Sequence, residues 1–527
     1  MLAPSLWAAA TKPNILVILA DDMGFSDLGC YGGEIATPNL DGLATNGLRY
    51  SQFYNTARCW PTRCSLITGY YPQQIHMDPP RGRFPSWAVP LPHYLKTQGY
   101  RCYHAGKWHI NGAPAAIADA GFDHSYRVED HNRNFHPQQV FEDDVRQPPV
   151  PKGSNYYTSI AYADYIIRCL QEHAKRYPDR PFFAFLAFTT PHFPLQALPE
   201  DIARYRDRYL EGWDKVHADR ARRLREQGFP LNTVAAREPA IRAPSGPPGV
   251  ETNVDPAEIA YAIPWKELTP EQQRFQAVKM AIHAAMVDRN DQEIGRVLEQ
   301  IRRMGAYEDT AIFFFSDNGA SAEILVRGDG HDRKAPAGSE ASFLCLGPGW
   351  STAANSPFRR HKIWVYEGGV STPLIIHWPA GISARGQWRQ DIGHVVDLMP
   401  TFLELAGVSG DEHPADAPPF PGRSLVPSFI KDGASSLEFV FFSHSGNRAL
   451  RVGEWKLVSA KDGGNRWELY NLANDRGETT DVAAQHPGRV RDMAARWSEL
   501  ENTFTRQAGA VITNRAPMTP KPNAVRR

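Results

Sequence analysis

No apolar stretch of this 527-residue chain approaches the roughly 20 residues that cross a bilayer as a helix. The longest pure runs, Ile15 to Ala20 and Phe182 to Phe188, have the length of buried strands, which excludes a membrane-spanning helix. Net charge is also missing. Fifty-eight Lys and Arg face 58 Asp and Glu, leaving no field for general attraction to nucleic acid or acidic membranes, so a dedicated nucleic-acid binder is excluded. Cysteine is sparse: Cys30, Cys59, Cys64, Cys102, Cys169 and Cys345 include no CxxC pair, which argues against a zinc site or a disulfide scaffold. There is no internal repeat. Hydrophobic residues at 42% and charged residues at 22% are ordinary, excluding long disorder and a fibrous chain. Proline (43) and glycine (41) are plentiful, and elaborate loops are expected.

From Pro13 onward, apolar strand-like runs alternate with longer amphipathic or irregular segments. This predicts an α/β fold, a large mostly parallel sheet sandwiched by helices. Expected strands are Ile15 to Ala20, Arg101 to Ala105, Phe182 to Phe188, Ala311 to Phe315 and Leu374 to His377, each buried on both faces. Phe275, Val278, Ile282, Met286, Ile294, Val297, Leu298 and Ile301 keep helical spacing and are expected as core. The catalytic body is expected over 13–433. Within it 201–266 reads as an insertion over the sheet, opening with one amphipathic helix marked by Ile202, Tyr205, Tyr209, Trp213 and Val216. Short alternating runs after Gly433 predict a small C-terminal α+β domain, 434–504, of antiparallel sheet with a closing helix near Pro487 to Glu501. Residues 505–527 read as a basic, Pro-containing tail. Residues 1–12 read as the remnant of a secretory signal or an extension, so a periplasmic or secreted location is expected.

Ligands of open α/β sheets sit beyond the carboxyl ends of strands, and those ends are polar here. Ile15 to Ala20 leads into Asp21-Asp22, Ala311 to Phe315 into Ser316-Asp317-Asn318-Gly319, Phe182 to Phe188 into Thr189-Thr190-Pro191-His192, and Arg101 to Ala105 into Lys107-Trp108-His109. Asp21, Asp22, Asp317 and Asn318 offer hard oxygen ligands suited to calcium or magnesium. Turn chemistry alone explains one such pair; two pairs on separate strands favour a metal site. In Cys59-Trp60-Pro61-Thr62-Arg63-Cys64, Pro61 suits the first turn of a helix and Gly69 its exit, which puts Cys59 at an N-terminus that favours an anion. The other cysteines, Cys64 included, read as small buried hydrophobes, and His331, His361, His377 and His394 as structural.

With these residues assembled, the chain resembles the type I sulfatases of the alkaline-phosphatase-like superfamily, often called arylsulfatases. Their maturation signature is C-x-P-S-R followed by T-G. Cys59-Trp60-Pro61-Thr62-Arg63 with Thr68-Gly69 fits it, with Thr62 keeping the hydroxyl where Ser is usual. Thr37-Pro38-Asn39-Leu40-Asp41, Gly106-Lys107-Trp108-His109, Pro357-Phe358-Arg359-Arg360-His361-Lys362 and Glu367-Gly368-Gly369 match further blocks. Arg448-Ala449-Leu450-Arg451 and Glu468-Leu469-Tyr470-Asn471-Leu472 resemble the family's small C-terminal domain.

The resemblance implies a sulfuric ester hydrolase in which a separate maturation enzyme oxidises Cys59 to formylglycine. The hydrated aldehyde attacks sulfur, and its second hydroxyl then expels inorganic sulfate. It implies one calcium, with magnesium second, on Asp21, Asp22, Asp317, Asn318 and the modified Cys59. Arg63 is to steady the hydrate, and Lys107 and Lys362 to hold sulfate. His192 is to serve the leaving oxygen, and His109 to take the proton of the second hydroxyl. The substrate is a sulfated small molecule or glycan, contacted by loops in 110–155, 201–266 and 320–356. Two alternatives are a phosphodiester or phosphonate monoester hydrolase with the same machinery, and a non-catalytic sulfated-glycan binder. The latter should have lost site residues that this chain keeps.

Overall fold

The computed structural model describes residues 12–80, 82–110, 117–244 and 255–510. Residues 1–11 of the expected leader, 245–254 of the insertion and 511–527 of the tail lie outside the described residues.

Fifteen strands are described: β1 Asn14–Ala20, β2 Leu48–Tyr54, β3 Arg101–Gly106, β4 His124–Val128, β5 Val140–Glu142, β6 Val145–Arg146, β7 Phe182–Ala187, β8 Thr310–Ser316, β9 Ser371–His377, β10 Gln387–Arg389, β11 Gly393–His394, β12 Phe439–His444, β13 Asn447–Val452, β14 Trp455–Ser459 and β15 Glu468–Asn471. The first eleven form one sheet in the order β10-β2-β9-β8-β1-β7-β3-β4-β5-β6, with β11 also on β2. Pairing is parallel along β8-β1-β7-β3-β4, and β9 is antiparallel to both β8 and β2. The strand β1 is the hub. Leu16 and Ile18 enter one hydrophobic core and Ile15, Val17 and Leu19 the core on the other face, which is why its run is apolar without alternation.

Register decides where chemistry can gather. Ala20 pairs with Ser316, Leu19 with Ala187, and Gly106 with Ala187. The residues that follow β1, β8, β7 and β3 therefore leave the sheet along one edge. A 34-residue helix, Pro270–Arg303, opened by a Thr269/Gln272 capping box, packs beneath. Its Asn290 accepts from Thr190 (2.5 Å) and donates to the Thr190 carbonyl (3.0 Å), which anchors the turn that leads to His192.

The second sheet is antiparallel, β12-β13-β14-β15. Val440, Phe442, Ala449, Val458 and Tyr470 face Tyr54 and Trp364 of the large body, while Phe441, Leu450, Leu457 and Leu469 face Met493, Trp497 and Phe504 of the helix Pro487–Ala508. Among the described residues no helix is long and apolar enough to cross a membrane.

Three expectations need correction. The single helix expected over Ile202 to Val216 is two, Pro199–Tyr205 and Gly212–Glu226. Asp207 takes φ 64°, a left-handed turn that a helix cannot continue through, and Tyr205, Tyr209 and Trp213 reach the core from both helices and the turn between. Val278, expected in the core, is 40% exposed on the outer side of its helix. The closing helix runs to Ala508, so Thr505 to Ala508 are helical and not tail, held by Phe504 stacked on Tyr71.

Candidate active site

The strand-end residues meet at that edge. Asp21, Cys59 and Asp317 each offer a ligand atom, and the three atoms lie within 4.8 Å of one another; Asp21, Asp22 and His192 form a second such group. Asn318 Nδ2 donates to Asp22 Oδ1 at 2.7 Å, and the Asp22 amide to Asp317 Oδ1 at 3.4 Å. Asp22 sits at φ 65°, a left-handed conformation that turns its carboxylate back toward the cluster.

Cys59 is the first residue of a buried helix, Cys59–Thr68, preceded by extended Arg58 and closed by left-handed Gly69. Thr62 accepts from the Thr56 amide (3.0 Å) and shares a hydrogen bond with the Thr56 hydroxyl (2.8 Å), so the hydroxyl at this motif position staples the strand exit to the helix start. Arg63, one turn on, is fully buried. Its Nε donates to Asp317 Oδ2 (2.9 Å), a second nitrogen lies 2.8 Å from the same oxygen and 3.7 Å from Asp21, and a third donates to the Lys107 carbonyl (2.6 Å).

Two lysines close the charge balance. Lys107 Nζ contacts the Asp21 carboxylate directly. Lys362 Nζ lies 2.8 Å from Asp22 Oδ1 and 3.3 Å from Glu323 Oε2. Burial raises Asp21, but Lys107 and Arg63 outweigh it and hold this carboxyl below the usual range. Burial wins at Asp22 and at Asp317, the latter pushed up to about 7 with the Asp21 charge assisting. Burial followed by the thiolate's carboxylate neighbours keeps Cys59 a thiol, despite Lys107 and Lys362.

His192 Nδ1 lies 2.5 Å from the Phe193 carbonyl, which can only accept; Nδ1 therefore carries the proton, and Nε2 faces Asp22 at 3.7 Å. His109 Nδ1 is buried without a hydrogen-bond partner, and its ring meets Trp60 at 6.0 Å. Burial, then the two lysines, hold both imidazoles well below their ordinary value and so neutral. All ten sequence-derived candidates therefore converge: Asp21, Asp22, Cys59, Arg63, Lys107, His109, His192, Asp317, Asn318 and Lys362.

Two neighbours escaped the sequence reading. His131 stands with its ring 5.2 Å from His109 and 5.8 Å from His192, and burial with the Lys107 charge lowers it to about 3. Glu323 pairs with Lys362 and, at 3.4 Å, with Arg58. Both lie in loops already expected to shape the pocket, but no motif singles them out. His361, beside Lys362, hydrogen-bonds Ser351 (2.9 Å), and His331 and His394 accept backbone amides, as structural histidines do. All six cysteines are buried and unpaired.

The donor set suits a hard divalent cation. Asp21 Oδ1 and Asn318 Oδ1 are buried oxygens that accept no hydrogen bond, and Asp21 belongs both to the group with Cys59 and Asp317 and to the group with Asp22 and His192, so these residues could hold such an ion.

A mostly parallel sheet flanked by helices, with carboxylates, an arginine and lysines gathered around a helix N-terminus at its carboxyl edge, defines the alkaline-phosphatase-like class of hydrolases. Comparison with known proteins narrows the class. The sulfatase family profile matches residues 13–408, and a profile for the N-sulphoglucosamine sulphohydrolase C-terminal region matches 359–502. An uncharacterized sulfatase of Schizosaccharomyces pombe is 31% identical over 94% of each chain, and an arylsulfatase of Klebsiella aerogenes is 32% identical over 79% of this chain and 91% of its own. The structure of Ps i-CgsB in complex with k-i-k-neocarrahexaose shares the fold at a TM-score of 0.66 and 22% identity, covering 95% of this chain and 94% of the other. The chain belongs to the sulfatase family of sulfuric ester hydrolases.

Proposed function

We propose that this protein cleaves sulfate esters of aryl alcohols or carbohydrates, using the side chain at position 59 as nucleophile after its oxidation to formylglycine. The observation that carries this reading is the meeting of Cys59 with Asp21 and Asp317 within 4.8 Å, under the cations Arg63, Lys107 and Lys362. When bound on Asp21, Asp22, Asp317, Asn318 and position 59, calcium would supply fixed positive charge for a sulfate oxygen.

The chain's own residues supply the rest. Arg63, locked on Asp317, fixes the geometry of position 59 relative to the carboxylates. Lys107 and Lys362 are compact charges suited to non-bridging sulfate oxygens. His192 has its Nδ1 proton committed to Phe193, so it protonates a leaving oxygen from Nε2 only after taking up a second proton. An arriving sulfate monoanion favours that uptake. His109, neutral and with Nδ1 unengaged, suits proton removal from the second hydroxyl at position 59. The apolar Met1 to Ala10 segment suits export to the periplasm or the medium.

The test is intact mass and tryptic mapping of the Cys59 peptide from protein made with and without a sulfatase-maturating enzyme, alongside hydrolysis of 4-nitrophenyl sulfate. Activity should follow the modified fraction and be absent from Cys59→Ala. An unmodified thiol in fully active protein, or an active Cys59→Ala, refutes the mechanism. Faster cleavage of a matched aryl phosphodiester would assign the protein to the phosphodiester reading.

A further inference from the structure

Against Asp22 lies a cavity of about 10 Å³, the room that a single water takes. Three of its wall residues are polar, Asp22, Ser321 and His283, and the others are apolar. His283 takes no part in the catalytic steps. It stands on the long helix Pro270–Arg303 and is 1% exposed. Its Nε2 lies 2.9 Å from Asp27 Oδ2, which also accepts the Gly24 amide at 2.8 Å, while Asp27 Oδ1 accepts from Arg220 at 2.6 Å.

A carboxylate held by an arginine and an amide can only accept, so His283 carries a proton on Nε2. Its Nδ1 is buried and, among the described residues, has no hydrogen-bond partner. Leaving such a nitrogen bare costs about 1–3 kcal/mol. One water removes that cost, because water both donates and accepts and so meets Nδ1 with or without a proton there. The other polar walls supply the water's remaining partners. Asp22 Oδ2 accepts from Lys362 at 2.9 Å and keeps a lone pair; Ser321 Oγ, which donates to Glu323 at 3.0 Å and accepts the Glu323 amide at 3.2 Å, keeps another. Polar groups on three sides of a site this size are what a buried water requires.

We infer that this cavity holds one ordered water linking His283 Nδ1 to the Asp22 carboxylate, which makes His283 a positioning residue for the cation that Asp22 helps to hold. Asp22 sits at φ 65°, a left-handed conformation that its contacts must maintain. The link also reaches outward. Arg220, which binds Asp27, pairs with Glu34 at 2.7 Å and stands on the helix Gly212–Glu226 of the insertion. A chain of charges and hydrogen bonds therefore runs from the insertion through Asp27, His283 and the water to the site, the kind of outer support that fixes a metal ligand's orientation. The inference rests on the reading of Asp21, Asp22, Asp317 and Asn318 as a cation site and adds a residue to it.

Two measurements test it. The first is a crystal structure of the mature protein fine enough to show waters, in which one water should lie within about 2.6–3.2 Å of both His283 Nδ1 and an Asp22 oxygen. A dry cavity, or a water that touches only one of the two, overturns the link. The second is calorimetric titration of calcium into mature protein stripped of metal, with two variants that separate the ring nitrogens. His283→Gln reaches the Nε2 position and keeps a donor for Asp27, whereas His283→Asn ends at the Nδ1 position and keeps only the group that meets the water. His283→Gln should weaken calcium binding about tenfold with a Tm close to wild type, as loss of an outer partner of a metal ligand does. His283→Asn should bind calcium within about threefold of wild type while its Tm falls with the Asp27 bond. A purely structural His283 gives the opposite order, with His283→Asn the weaker binder; that order, or equal affinities in all three proteins, overturns the positioning role. If the wild-type mature protein binds neither calcium nor magnesium, the cation reading fails instead, and the crystal structure still decides the water link.

Discussion

Lys107 and Lys362 are buried lysines placed against opposite charge: each faces a carboxylate of the cluster, and neither is more than 1% exposed. A charge held so near the reacting sulfur should act mainly on the transition state. Lys107→Ala should lower kcat on 4-nitrophenyl sulfate by about 10²–10³, as loss of one preorganised charge or donor does elsewhere. Lys107→Arg should rescue little, since a planar fork does not fit where a single ammonium meets Asp21. An activity loss under threefold in Lys107→Ala would remove this residue from the site. Glu323 gives a pH prediction. Burial pushes this carboxyl up, but Lys362 and Arg58 outweigh it and hold it at about 2, below its usual 4.5. A depressed carboxyl stabilises the fold in full above its unfolded value and loses that contribution as pH falls from about 4.5 toward 2, by up to about 3 kcal/mol. The Tm of Glu323→Gln should therefore fall short of wild type at pH 6, by less than half as much near pH 3, and draw level with it only at about pH 2. A constant difference across that range would show that the pair contributes nothing through charge.

At the scale of elements, the sequence exposes what a parallel sheet forces it to expose. β1, β7 and β8 are buried on both faces, so their runs are apolar almost throughout, β3 is buried likewise but carries His104, and the polar residues at their ends stand out as candidate ligands. That is why every expected site residue but Lys362 could be placed at strand ends and one helix start, whereas Lys362 stood out only through the resemblance of the block Pro357 to Lys362 to the family. β2 was not legible: Leu48–Tyr54 carries Arg49, Ser51 and Gln52, and a register shift between Tyr50 and Phe53 breaks its alternation. His131 was not legible either, because its place between His109 and His192 depends on the loop after β4 folding back, which has no sequence period. Glycines at the two ends of β3 test how tightly the site edge is built. Gly99 precedes the strand at φ 88° with open space around it, so Gly99→Ala should cost only left-handed strain, about 1–2 kcal/mol. Gly106 ends the strand at φ 120°, and a Cβ there would meet the Ala187 carbonyl oxygen at 1.8 Å. Gly106→Ala has to part β3 from β7 just where Lys107 departs, and should cost above about 4 kcal/mol and abolish activity. Equal Tm values for the two variants in thermal unfolding would contradict this packing.

On the scale of the whole molecule, the two sheets are joined by a buried charge network, and that network bears on the site. Glu367, five residues beyond Lys362, accepts from Lys456 of β14 at 2.8 Å, from Arg476 at 2.9 Å and from Tyr54 of β2 at 2.9 Å. Lys456 also reaches Glu478 at 2.9 Å, and Glu478 accepts the Glu367 amide at 2.7 Å. The small sheet therefore clamps the segment that delivers Lys362 to Asp22. Burial, only partly offset by Lys456, and then the Glu367 charge push Glu478 up to about 7, whereas Lys456 and Arg476 hold Glu367 at about 2 against its own burial. Removing the lysine leaves two buried carboxyls competing for Arg476, a change that costs about 3–5 kcal/mol in comparable buried pairs. Lys456→Met should show that loss. The loss should grow as pH rises through about 7, because a carboxyl with a raised pKa stabilises the fold below its unfolded value and forfeits that contribution as it ionises. Glu478→Gln added to Lys456→Met removes the group that ionises. The double variant should recover more than about 1 kcal/mol over the single and lose its alkaline slope. If thermal unfolding from pH 6 to 9 gives additive effects and parallel slopes, the two sheets are held by their apolar faces alone, and the segment carrying Lys362 is not clamped by charge.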